Sequence, residues 1–157
     1  LPFDIWSNFS PLNYNTDAND IPRIMLWKNS LEIISENPLF GIGASSFGTI
    51  IEAKMGIWRA HPHNLPLELM ISYGIPAALL ILIPFIILVK SAFEEIFIRN
   101  KFNFKIHLFD RAWITSLIIL SGMHLVDIQY FDGKFSMVGW ILMAGANQII
   151  GKSKFKN

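Results

Sequence analysis

The sequence predicts an all-α, polytopic integral membrane protein, and three observations carry that expectation. Of its 157 residues, 52% are hydrophobic and 16% charged, against about a quarter charged in ordinary soluble domains. The apolar residues lie in long uncharged blocks instead of at amphipathic spacing. The Lys and Arg residues gather on alternate connecting segments, as one membrane orientation requires. With 13 Lys and Arg against 12 Asp and Glu, there is no basic footprint for nucleic acid. The absence of cysteine excludes a disulfide scaffold, a thiol nucleophile and a Cys-ligated metal. The chain opens at Leu1 without a methionine or a signal-like series, which suggests a processed or truncated product.

Residues 1–66 form a first unit. Residues 1–19, rich in Asn, Pro and Ser, read as an irregular lead-in. A helix is predicted over about 21–36, with Asp20 as cap, proline in the first turn and Ile24, Trp27, Leu31 and Ile34 on one apolar stripe. Asn37-Pro38 ends it, and Gly41-Ile-Gly43 marks a tight turn. A second helix is predicted over about 45–55, burying Phe47, Ile50 and Ile51.

Residues 67–151 form the membrane part. Leu69 to Val89 is uncharged over 21 residues, which at ~1.5 Å per residue suits a ~30 Å hydrocarbon layer. Pro76 and Pro84 predict a kink inside it. The runs Ala112 to Val126 and Phe135 to Gly151 are the second and third predicted spans, each needing its flanks to cross. Between them lie a basic segment, 90–111, and a short segment, 127–134, with two acids and one base. The tail 152–157 adds three lysines. Counting Lys and Arg places 90–111 and the tail in the cytoplasm, and 1–66 and 127–134 on the other side.

The most unusual cluster is Trp58-Arg-Ala-His-Pro-His-Asn64, directly before the first span. Asn64 can cap the helix that follows, whose first-turn N–H groups and macrodipole favour an anion beside His63. A neutral His63 can accept a proton, and Arg23 and Arg59 can supply fork-shaped cations to a phosphate or diphosphate. The alternative for each is local: Asn64 a simple cap, Trp58, Arg59 and His61 interfacial anchors, and Arg23 packed over Trp27. No metal is expected at His61 and His63, because a proline intervenes and no cysteine or nearby acid completes a ligand set. His124 and Asp127 share a helical face and either hydrogen-bond functionally or form an interfacial pair.

Three stretches together resemble the O-antigen ligase and O-antigen polymerase superfamily of bacterial envelope glycosyltransferases. Arg23-Ile-Met-Leu-Trp27 with Asn37-Pro-Leu-Phe-Gly-Ile-Gly43 is similar to that family's R-x-x-x-W and N-P-x-x-G-x-G opening of a large periplasmic loop. His63-Asn64, nine residues, then Gly74 is similar to the ligase signature, although Ala77 stands where Gly, Thr or Tyr is common. Asp127-Ile-Gln-Tyr-Phe-Asp132 resembles a short last periplasmic loop.

The resemblance implies the C-terminal portion of a helical bundle of the C-type glycosyltransferase kind, set in the inner membrane with its large loop in the periplasm. It implies transfer or polymerisation of glycan from a polyprenyl-diphosphate-linked donor to a lipid A-core or glycan acceptor, without metal or other cofactor. His63 and Arg23 would be catalytic; Arg59, Asn64, His61, Trp27, Asp127 and Asp132 would bind substrate. Ligase and polymerase both stay open. The other readings are a membrane transport or inorganic-carbon-related protein sharing the domain, or an inactive fragment. Transport predicts ionisable residues inside the spans, where only His124 is found.

Overall fold

The computed structural model describes residues 22–99, 108–128 and 130–154, the last three of them by backbone alone, and every regular element among them is a helix. The expected lead-in, Asp20 as cap, residues 100–107 of the basic segment and the end of the tail lie outside the described residues.

Helix α1 spans Arg23–Glu36 and starts from Pro22, whose φ of −58° suits a helix start but which supplies no side-chain cap. Its buried face is Leu26, Ser30, Ile33 and Ile34, so the expected stripe is corrected: Ile24 and Leu31 are exposed. Leu26, Ser30 and Ile33 follow helical spacing equally well. Ser30 tolerates burial because its hydroxyl donates to the Leu26 carbonyl at 2.7 Å. Helix α2, Phe47–Met55, ends at Gly56 in the left-handed region. It buries Phe47 and Ile51 as expected, with Ile50 packed beside them. Leu26, Ile33, Phe47, Ile51 and Ile71 close one apolar core.

Helix α3 runs over Leu65–Phe93 and continues through a π-helical turn, Glu94–Arg99. It is interrupted at Gly74, with φ 83° and ψ 167°, two residues before Pro76. The expected kink is therefore real but sits at the glycine. Pro76 has no N–H for the Ser72 carbonyl, and the break takes Ile75 N–H away from Ile71. Segment 37–43 repairs both losses: Ile42 N–H donates to Ile71 O at 2.8 Å, Gly43 N–H to Ser72 O at 3.1 Å, and Ile75 N–H to Pro38 O at 2.8 Å. The approach is so close that a Cβ on Gly74 would meet the Leu39 carbonyl, and one on Gly41 the Ile71 carbonyl. The two glycine motifs of the sequence are thus the two sides of one contact.

Helices α4, Leu108–Met123, and α5, Gly133–Lys154, pack with the far part of α3. Ala92, Ile96, Ile114, Leu117, Leu142, Ala146 and Ile149 form a second core. Helix α4 starts earlier than the uncharged run and stops at Met123, where Leu125 and Val126 N–H groups bond back to Gly122 and Met123 in tight turns. Among the described residues one helix, Leu65–Arg99, is long and apolar enough to cross a membrane by length and composition. The other two expected spans are helical, but α4 is shorter and α5 carries Lys134, Asn147 and Gln148.

Candidate functional site

Where α3 begins, its first turn is joined to the end of α4. Leu65 N–H donates to the His124 carbonyl at 2.8 Å, and the Asn64 amide donates to the Leu125 carbonyl at 2.9 Å. Asn64 also caps α3, its Oδ1 accepting Leu67 N–H at 3.0 Å. The cap is the task that its position before a helix suggested, and the bond to Leu125 is a second one that the sequence did not suggest.

Just upstream the chain reverses at His63, which has φ 55°, a conformation uncommon for residues other than glycine. The surroundings hold it there. Pro62 is fully buried, and its carbonyl accepts the Trp27 indole N–H at 2.9 Å. His63 N–H donates to His61 Nδ1 at 3.3 Å, and the two rings meet edge to face at 4.4 Å. Backbone held in a sparsely populated region by so many contacts points to a site.

His63 Nδ1 lies 2.8 Å from Asp127 Oδ1, across 64 residues of sequence. The hydrogen bond to His63 holds the Asp127 carboxyl below the usual carboxylate range, and burial opposes this only in part. An ionised Asp127 accepts, so Nδ1 carries a proton, and whenever the ring is neutral Nε2 is the nitrogen left to accept one. Asp127 Oδ1 also accepts Ile128 N–H at 2.8 Å, which fixes the carboxylate. Burial, and then the His63 charge, hold His61 below its ordinary value, so its ring stays neutral. Phe131 stacks on that ring at 5.8 Å.

A cavity of about 480 Å³ opens on this cluster, lined by Arg23, Leu26, Trp58, Arg59, Ala60, His61 and His63. Arg23 is the first residue of α1, so the helix N-terminus adds its partial positive charge to the two guanidinium groups. Gly48 allows the Trp58-Arg59 segment to lie over α2, since a Cβ there would press on the Trp58 indole. A second cavity of about 540 Å³, almost wholly apolar, runs between α3, α4 and α5 from Leu65, His124 and Tyr130 to Leu88 and Met143.

Of the expected residues, the structure brings together Arg23, Arg59, His61, His63 and Asp127. Trp27 and Asn64 stand behind them as supports. Asp132 accepts Lys134 N–H at 2.8 Å and caps the start of α5. His124 pairs its Nδ1 with the Leu120 carbonyl at 2.7 Å, while Asp127 is held by His63, so the expected relation of those two neighbours gives way to a longer-range pair. The argument against a metal also needs correction, because folding supplies the acid that the local sequence lacks. His61, His63 and Asp127 offer ligand atoms within 4.8 Å of one another and could hold an ion.

Glu68 escaped the sequence reading. It is fully buried, with Oε1 accepting from Ser72 at 2.9 Å and Oε2 unpartnered among the described residues. Burial first, then the nearby Glu68 and Tyr73, push the Tyr130 phenol up to about 12. The available signal was an acid in the first turn of an otherwise apolar helix, five residues beyond His63.

The described residues define a helical fold with a membrane-length helix and, at its start, a cationic cavity beside a histidine–carboxylate pair. The family model described as O-antigen ligase matches residues 4–82, half of the chain. The chain belongs to that family, whose members are membrane-associated, glycosyltransferase-like enzymes of polysaccharide biosynthesis. The matched stretch holds Arg23, Gly41, Arg59, His63 and Gly74, whereas Asp127 lies outside it. No curated protein and no solved structure matches the chain.

Proposed function

We propose that the chain carries the transfer site of an enzyme that moves glycan from a polyprenyl-diphosphate donor to a sugar hydroxyl, as O-antigen ligases or polymerases do. The observation that carries this reading is the cavity in which Arg23 and Arg59 face His63 with Asp127 behind it. The acceptor hydroxyl forms the new bond to the anomeric carbon while the bond from that carbon to the diphosphate oxygen breaks. His63 Nε2 takes the hydroxyl proton, and Asp127 stabilises the resulting imidazolium. The polyprenyl diphosphate departs with the electron pair, its charge met by Arg23, Arg59 and the start of α1. The donor is already activated, so the step needs no nucleotide and no metal.

The apolar cavity between α3, α4 and α5 suits the isoprenoid chain, its mouth at Leu65 and His124 adjoining the His63-Asn64 turn. The topology fits the charge pattern: His63, Leu65, His124 and Asp127 meet at one end of the bundle. Arg111 lies 5.3 Å over Phe97 at the other. In this reading the first end is periplasmic, the second is cytoplasmic, and α4 and α5 complete the crossing of the inner membrane.

The test is complementation of a ligase-deficient and a polymerase-deficient strain with the full-length protein, read as the glycan pattern on a gel. Restored capping of lipid A-core, or restored chain lengthening, identifies the branch. Both must be lost in His63→Ala and in Arg23→Ala with the protein still in the membrane. Wild-type patterns in both variants would refute the assignment.

A further inference from the structure

The segment 37–43 that repairs the break in α3 has an exposed tip. Leu39 is 63% and Phe40 86% exposed, and no charged residue occurs between Glu36 and Glu52. Its depth follows from α3. Lys90 is the first charge at the far end of the apolar run, and a ~30 Å hydrocarbon layer takes up about 20 helical residues. Counting back from Lys90 puts the near boundary close to Met70. Gly74, against which Leu39 and Phe40 are packed through their backbone, is then about 6 Å inside it.

Irregular backbone is tolerated at such depth only where its polar groups are satisfied. The groups that flank the tip are so satisfied: Asn37 O accepts Gly41 N–H at 3.1 Å, Pro38 O accepts Ile75 N–H, and the Ile42 and Gly43 N–H groups donate to α3. The side chains at the tip itself, Leu39 and Phe40, are apolar. Along α3, Leu79, Leu80 and Ile83 are exposed apolar side chains as well.

We propose that Leu39 and Phe40 form a membrane-insertion wedge whose partner is the acyl chains of the near leaflet. This rests on the reading that α3 crosses the bilayer. The wedge fixes the height of the α1–α2 unit, because 37–43 is clamped to α3 on one side and continuous with α1 on the other. With the boundary near Met70, His63 and the arginine-lined cavity stand about 8–10 Å outside it, level with the headgroups, where the diphosphate of a membrane-bound carrier lies.

The chain has no cysteine, so a nitroxide can be placed at one site at a time. Phe40→Cys, Leu39→Cys, Ile83→Cys and Glu36→Cys, each in the whole chain reconstituted in phosphatidylcholine–phosphatidylglycerol vesicles, are compared for collision with oxygen and with a water-soluble nickel chelate. The wedge predicts oxygen-to-nickel accessibility at Phe40 and Leu39 about tenfold above Glu36 and approaching that of Ile83. Ile83 in hydrocarbon with both tip labels in water would overturn the wedge and leave the span standing. Ile83 in water would overturn the span reading itself. Tip labels shielded from both reagents would mean that protein covers the tip, and would also overturn the proposal.

Discussion

The α1–α2 unit and the helical bundle solve burial in opposite ways. In the first, Leu26, Ile33, Phe47, Ile51 and Ile71 are each at most 2% exposed, and charged side chains such as Glu32 and Lys54 face outward. In the second, Ala92, Ile114 and Ala146 are buried, yet Leu80, Ile83, Trp140 and Ile141 stand at least half exposed. The first region closes a core and leaves apolar exposure to positions such as Leu31, Leu39 and Phe40; the second carries exposed apolar side chains along its helices. The site lies on the seam between them, its cations and histidines from the first region and Asp127 from the second. The difference teaches that the smaller unit supplies the cations and histidines, and the bundle supplies their position and the carboxylate that holds His63.

The hardest way to break this arrangement is at the seam. Gly74→Ala places a side chain against the Leu39 carbonyl at a backbone conformation reserved for glycine, and should cost about 3–5 kcal/mol. Hydrogen exchange should show Ile42, Gly43 and Ile75 losing protection while α4 and α5 keep theirs. Protection unchanged at those three amides would separate the two glycine motifs.

Trp27→Phe keeps the ring and removes the bond to Pro62, so a loss of about 1 kcal/mol is expected in denaturant unfolding. Transfer should fall by more than that loss of stability explains, because the His61-Pro62-His63 turn is loosened.

Asp127→Asn sharpens the electrostatic half of the comparison through pH. The folded Asp127 carboxyl titrates below its unfolded value, so the unfolded chain binds the extra proton as the solution is acidified. The carboxylate's contribution is therefore complete above the unfolded value and disappears as pH falls through the folded one. Wild type should exceed Asp127→Asn in stability at neutral pH, and the gap should close in acid; a gap independent of pH would contradict the pair. The smallest effect belongs to Lys54→Ala, because the 3.2 Å bridge to Glu32 is partly exposed on both sides, and below about 0.5 kcal/mol is expected in the same unfolding assay.

Hydropathy blocks made the bundle legible: the three apolar runs became α3, α4 and α5, because burial in any apolar medium is written as composition. Turn chemistry made the α1–α2 unit legible to within two residues at each helix. The face of α1 was not, since Leu26, Ser30 and Ile33 alternate with Ile24, Trp27 and Leu31 at the same period, and only packing on α2 and α3 chooses between them. In the site, Arg23, Arg59 and His63 were visible as residues whose chemistry exceeded their local need. The pairing of His63 with Asp127 was not visible, because it joins positions 64 apart through the antiparallel return of α4. Glu68 was hidden by its resemblance to an ordinary first-turn acid.

The most direct test is the rate of glycan transfer by the purified full-length protein from a polyprenyl-diphosphate donor, measured for His63→Ala against wild type. Loss of a positioned general base predicts a fall of about 10²–10⁴-fold in kcat, with the fold and donor binding retained. A His63→Ala enzyme transferring at the wild-type rate would contradict the account at its centre.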